Sequence, residues 1–280
     1  MLSMSRHHKG IAIMCALIFL LPLLMCGCEK EWETKKITDV NDLGGMMVGV
    51  NMGWAADYAL THRSDMELYR YDSTADLMMA LNYNKVDAIA TDDMSWVLMN
   101  KNSTGLVKVE PEIQKTGYVW YFRDKELCDQ FNEFIAEFKK TDTYKEFRER
   151  EDNFNDDYEQ PEIELTGKGK TLRVAFDPTS YPRSFVKVGD TELYGFDGEQ
   201  LKYFANEHDY QLEFIPSTGN DGMMGLQNGM YDVLGGYISV EFNDEAEKLG
   251  LFVSDTMDEG TLVFVQKMQD DISVDIDNLE

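Results

Sequence analysis

Cysteine, histidine and positive charge are all scarce in this sequence of 280 residues, and each shortage excludes something. Of the four cysteines, Cys15, Cys26 and Cys28 crowd the N-terminus. Cys128 therefore stands by itself in the body of the chain, and no internal disulfide can form there. Only His62 and His208 lie beyond the N-terminal segment, and neither has a metal-ligand spacing such as H-E-x-x-H, so no metal site is expected. Lysine and arginine number 26 against 52 acidic residues, a formal charge of -26. A chain this acidic repels a phosphate backbone, which removes nucleic-acid binding from the function classes. There is no G-x-S-x-G elbow and no phosphate loop, so neither a catalytic residue nor a cofactor is expected. Apolar residues, by contrast, are plentiful. At 43% hydrophobic and 12% aromatic, the chain has enough apolar material for a packed core.

The N-terminus reads differently from the rest. Arg6, His7, His8 and Lys9 precede an apolar run, Ile11 to Leu24, that has the length of a signal h-region and is short for a membrane-spanning helix. It ends in Leu24-Met-Cys-Gly-Cys28, which resembles the lipobox of bacterial lipoproteins. Gly27 supplies the small residue before Cys28, whereas Cys26 follows Met25. The resemblance implies a signal peptide over 1–27, lipidation of Cys28, export, and attachment to a membrane through the lipid. Residues 28–36 then form a polar tether.

Beyond the tether, short apolar runs alternate with helical patterns, as in parallel sheets covered on both faces. Strands are expected at 46–50, 67–71 and 86–90, with helices at 55–60 and 74–82. Lys125 to Lys140 carries Leu127, Phe131, Phe134, Ile135 and Phe138 on one stripe, and a short helix follows near 144–150. Cys128 reads as an inert buried thiol. Glu151 to Lys170 is acidic, holds Pro161, Gly167 and Gly169, and reads as a connection between lobes. A second series follows, with strands at 171–176, 211–215 and 232–235 and helices near 199–207 and 223–227. Leu81-Asn-Tyr-Asn-Lys-Val-Asp87-Ala-Ile-Ala and Leu226-Gln-Asn-Gly-Met-Tyr-Asp232-Val-Leu-Gly share one pattern: helix end, tight turn, aspartate, buried strand. The two aspartates read as makers of turn hydrogen bonds.

Several motifs in series resemble the bacterial extracellular solute-binding proteins of family 3, the polar amino-acid receptors of ABC importers. Asp177-Pro-Thr-Ser-Tyr181-Pro-Arg-Ser-Phe185 is similar to the family's D-P-x-Y-P-P-F element. Gly195-Phe-Asp197 and Gly229-Met-Tyr-Asp232 are similar to its G-F-D and G-x-x-D elements. Asp42 to Val50, Tyr71-Asp-Ser and Val86 to Asp92 resemble its second lobe. The implied fold is α/β, a two-lobed periplasmic-binding-protein type II fold. Residues 37–125 correspond to the second lobe, 126–169 to helices and an acidic connection, and 170–268 to the first lobe. That lobe order is reversed, and Ile272 to Leu279 in the 269–280 tail echoes Ile37 to Leu43. The chain is thus expected to be permuted or part of a tandem array.

The resemblance also implies a site. Asp92 falls at the family's ammonium-binding position, with capping of the following helix as the other reading. Tyr181 matches the stacking aromatic, and Gly236, Tyr237 and Ser239 match the ligand-touching loop. The family's carboxylate-binding arginine aligns with Ala246, and its assisting hydroxyl with Ala55, so both carboxylate anchors are missing. Trp54, in the same turn as Ala55, offers a platform for a cationic or ring-bearing solute. The implied function is capture of a small solute, amino-acid-like or an amine, for an ABC importer, with a permease as partner. The alternative is a ligand-sensing or regulatory lipoprotein with no transport role. Mass spectrometry of the exported protein should find loss of residues 1–27 and a lipidated Cys28, and Cys28→Ser should release soluble protein. An intact Met1 on exported protein contradicts this.

Overall fold

Inner strands of the sheet are buried on both faces, whereas its edge strands are half-exposed. The computed structural model describes residues 35–268 apart from 42, 103–104, 155–158 and 218–219. The expected signal peptide over 1–27, Cys28 and the tail echo lie outside the described residues. The first series is β1 (Met47–Asn51), α1 (Ala55–Leu60), β2 (Glu67–Tyr71), α2 (Thr74–Asn82), β3 (Ala88–Asp92) and α3 (Asp93–Asn102). In β1, Val48 and Val50 pack into one core cluster and Met47 against another. Ala88 and Ala90 of β3 join the first cluster, and Ile89 the second. Both faces of this sheet are therefore covered by helices and neither tolerates charge.

The chain then crosses over. β4 (Leu106–Phe122) is followed by α4 (Lys125–Phe138), α5 (Asp142–Asp152), β5 (Thr171–Phe176), the two-residue strands β6 (Thr179–Ser180) and β7 (Ser184–Phe185), α6 (Phe196–Glu207) and β8 (Gln211–Pro216). Next come α7 (Asn220–Gln227), β9 (Val233–Ser239), a single 3-10 turn (Val240–Phe242), α8 (Asn243–Lys248), β10 (Phe252–Val253) and β11 (Asp258–Lys267). The strand path is β2-β1-β3-β11-β4-β9-β5-β8, with β10 also on β4. Two parallel triplets, β2-β1-β3 and β9-β5-β8, thus flank the antiparallel pair β11-β4. The result is a mixed α/β fold of two lobes.

Passage between the lobes is made by β4 and β11, not by 151–170. Residues 159–170 run along the lobe built by 170–268. There Gln160 accepts from the Gly195 N–H, and Asn206 bonds to Glu164 and Thr166. Neither crossing strand stood out in the sequence. β4 carries Lys108, Glu110, Pro111, Glu112 and Lys115 before its apolar end. Pro111 has no N–H to give a ladder, and it falls in the irregular stretch between Val109↔Phe264 and Gln114↔Leu262. From Val119 onward the strand is buried on both faces: Val119 and Tyr121 enter one cluster, Trp120 and Phe122 another.

The two matching sequence segments fold identically. Asn84 (φ 54°) and Gly229 (φ 76°) occupy the left-handed turn after their helices, Gly at no steric cost. Asn84 N–H bonds Leu81 O and Lys85 N–H bonds Ala80 O, as Gly229 N–H bonds Leu226 O and Met230 N–H bonds Gly225 O. Asp87 accepts from the Met47 N–H at 2.8 Å, and Asp232 from the Arg173 N–H at 3.0 Å, so each aspartate ties its strand to the neighbouring one.

α4 begins at Asp124, whose carboxylate accepts the Leu127 N–H at 3.1 Å. Its buried stripe includes Cys128, whose thiol burial pushes up to about 11. Among the described residues, no helix is long and apolar enough to cross a membrane. Phe131 is fully buried against Phe204 (4.9 Å), Phe122 (5.2 Å) and Trp120 (6.0 Å). Phe131→Ala should cost about 3–5 kcal/mol in urea unfolding followed by circular dichroism. A loss below about 1 kcal/mol would contradict this packing.

Candidate functional site

The carboxyl ends of β1, β3, β5 and β9 point toward one cleft of about 470 Å³, with Tyr118 and Tyr121 of β4 in its lining. Parallel α/β sheets place ligands at such strand ends. One lobe supplies Asn51, Trp54, Ala55 and Asp92. The other supplies Asp177, Ser180, Gly236, Tyr237 and Ser239. Five of the six residues expected to bind ligand therefore meet here. Tyr181 is not in the lining; its ring packs on Phe185 (5.0 Å) and Phe154 (6.0 Å). Ala246 is fully buried in the core of the lobe that holds β9, and Lys248 is exposed.

Asp92 ends β3 and serves two purposes. Its carboxylate accepts the Ser95 N–H at 2.8 Å and the Ser95 hydroxyl at 2.7 Å, which caps α3. At the same time it lines the cleft, facing Tyr237. Burial first, and then Asp92, push the Tyr237 hydroxyl well above its ordinary value.

Tyr237 is held by strain and a charge. The β9–β4 ladder is irregular between Leu234↔Tyr121 and Ile238↔Val119. Gly236 (φ 87°) and Tyr237 (φ 70°) are both left-handed there, an arrangement a side chain at 236 would oppose. The Tyr237 N–H donates to Asp197 Oδ2 at 2.6 Å, and its ring stacks on Tyr118 at 4.8 Å. This bulge is also why the sequence pattern loses β9 after Gly235.

Behind that stack lies the residue that the sequence reading passed over. Arg183 is 1% exposed, with its guanidinium carbon 4.4 Å from the Tyr118 ring centroid. It donates to Asp197 (3.1 Å), Asp258 (2.5 Å) and Glu151. Burial opposes its charge, yet the three carboxylates hold it well above the ordinary guanidinium range. Burial raises Glu151 to about 7, with Arg183 pulling the other way. Glu151 closes α5 and is not part of a loose connection. A signal was present: after Tyr181-Pro182, Arg183 stands where the D-P-x-Y-P-P-F element has the last of its three prolines.

Two buried polar atoms in the cleft have no protein partner, Asn51 Oδ1 and Ser239 Oγ. They come from opposite lobes. Among the described residues, no three His, Cys, Asp or Glu side chains converge as metal ligands.

Residues 172–274 match the model of the bacterial extracellular solute-binding proteins, family 3. The matched segment runs from β5 through β11 and includes Asp177, Gly236, Tyr237 and Ser239, while Trp54 and Asp92 lie outside it. No curated protein matches the chain. Among solved structures, it is similar to the ligand-binding component of an ABC-type import system from Staphylococcus aureus, with zinc bound. Identity is 12% over 80% of this chain and 66% of that one, with a TM-score of 0.43. It is also similar to a probable amino-acid ABC transporter extracellular-binding protein from Bacillus subtilis, at 9% identity over 81% and 85% of the chains and a TM-score of 0.41. A third similar structure is an ancestral amino-acid-binding protein described as a precursor of cyclohexadienyl dehydratase (12% identity, 82% and 86%, TM-score 0.39).

The raised Glu151 has a consequence for stability. Folded protein holds this proton more tightly than unfolded chain does. Its contribution is therefore fully present below the ordinary value of 4.5 and is lost as pH rises through about 7. The urea midpoint should fall more steeply between pH 5 and 8 in the native protein than in Glu151→Gln. Parallel profiles would show that Glu151 is ionised throughout.

Proposed function

We propose that this chain is an exported, lipid-anchored receptor that captures a small solute between its lobes and hands it to an ABC permease. The observation that carries the reading is the pair of unpartnered buried atoms, Asn51 Oδ1 and Ser239 Oγ, in one cavity of ligand size. A buried polar atom without a partner costs roughly 1–3 kcal/mol, and a solute bonding to both would recover that cost. The same solute would bridge the lobes, which is how it would favour a closed form about β4 and β11. Export and anchoring rest on the lipobox-like end of the apolar N-terminal run, and the permease on the family 3 match. The lobes correspond to the family's two lobes in reversed order. The folded repeat and the crossing strands support that permutation.

The capture reading is tested by calorimetry and melting of the full-length protein across amines, amino acids, sugars and dicarboxylates. One of these should raise the melting temperature, and Trp54→Ala should weaken that solute about tenfold, roughly 1.4 kcal/mol, by removing an aromatic wall. Uptake of the solute by cells should then depend on this protein. Binding without any effect on uptake would favour the sensing role.

A further inference from the structure

The chemistry of the cleft lining narrows the solute class, an inference that rests on the capture reading. Asp92 and Asp177 are the only charged residues among the described lining, which includes no lysine, arginine or histidine. The nearest buried guanidinium, Arg183, sits behind the Tyr118 ring and is engaged by three carboxylates. A carboxylate or phosphate entering here would meet two negative charges and no cation.

Beside the Ser239 hydroxyl, which can donate or accept, the lining holds two acceptor oxygens with free capacity. Asn51 Nδ2 donates to Thr74 Oγ1 at 2.8 Å, which leaves Oδ1 as an acceptor. Asp177 takes both the Thr179 N–H (2.8 Å) and the Thr179 hydroxyl (2.6 Å) on Oδ1, and among the described residues no side chain or backbone N–H donates to Oδ2. Five aromatic rings, Trp54, Tyr58, Tyr118, Tyr121 and Tyr237, line the same cavity. Acceptors, negative charge and π faces together describe the complement of one kind of group.

We infer that the cleft binds a primary ammonium ion carrying no acidic group, with its N–H donors directed to Asn51 Oδ1 and Asp177 Oδ2. The absence of a carboxylate partner at Ala55 and Ala246 then matches the ligand and is not a defect of the site. The positive charge is matched by Asp177, while Asp92 keeps its cap on α3 and its place beside Tyr237.

The test is titration calorimetry of the full-length chain, kept in detergent, with putrescine, tetramethylammonium, L-glutamate and glucose. Putrescine should bind and raise the melting temperature, and L-glutamate should do neither. Tetramethylammonium, which has the charge but no N–H, should bind at least tenfold more weakly than putrescine. Asp177→Asn should weaken putrescine at least tenfold. Asn51→Asp, which keeps the acceptor, should retain binding, whereas Asn51→Leu should lose it. If L-glutamate or glucose binds and putrescine does not, the ammonium assignment is overturned while the capture reading stands. Equal binding of tetramethylammonium and putrescine would overturn the N–H contacts. A protein silent to all four and to every other small solute tried would overturn both.

Discussion

The antiparallel ladder between β4 and β11 is the constraint on which the rest of this structure depends. These two strands belong to both lobes. Their pairing runs from Asp258↔Tyr118 to Lys267↔Leu106, and each also borders one of the parallel triplets, β3 on β11 and β9 on β4. Without the pair, β3 and β9 would each present an unpaired edge, with a row of open N–H and C=O groups. The cleft lies where the ladder passes from one lobe to the other, so Tyr118, Tyr121 and Leu262 come from the crossing strands themselves.

Electrostatics near the cleft follow from one buried charge. Arg183 is enclosed with Glu151, Asp197 and Asp258, drawn from α5, α6 and β11. Removing one partner of such a buried set typically costs about 3–5 kcal/mol, because the remaining charges are left uncompensated. Asp197 makes the link to the site, since one oxygen takes Arg183 and the other the Tyr237 N–H. The guanidinium therefore positions the cleft wall and is not itself presented to a ligand. A basic residue close to the site in sequence thus contributes no positive charge to its lining.

The internal repeat shows one local solution used twice. In each lobe a helix ends in a left-handed turn, and an aspartate three residues later fastens the next strand to the adjacent one. Asn84 and Gly229 differ chemically yet both tolerate positive φ, so two different sequences form the same turn. The lobes differ where their helices meet the cleft. One presents Trp54 and a capping Asp92, the other a bulged β9 with Gly236 and Tyr237.

Most of the parallel strands and helices were legible in the sequence because each is a local pattern: β2, α1, α2 and β5 fall on their expected residues, and α4 shows its stripe from Leu127 to Phe138. Asp92, Trp54, Gly236, Tyr237 and Ser239 were legible as a group because they sit at strand ends, where motifs mark the turns. The crossing strands were not legible. Their polar residues and Pro111 make sense only against partners more than a hundred positions away. Arg183 with its carboxylates was hidden for the same reason: a basic residue and three acids spread from 151 to 258 carry no sign in sequence that they share one buried site. The sequence by itself determined most of the parallel strands and helices, and it placed Ala55 and Ala246 where the resemblance implies carboxylate anchors. Tertiary structure alone decided that the cleft lining has acids and no base, because burial and long-range pairing, not spacing, choose which charges face the solute.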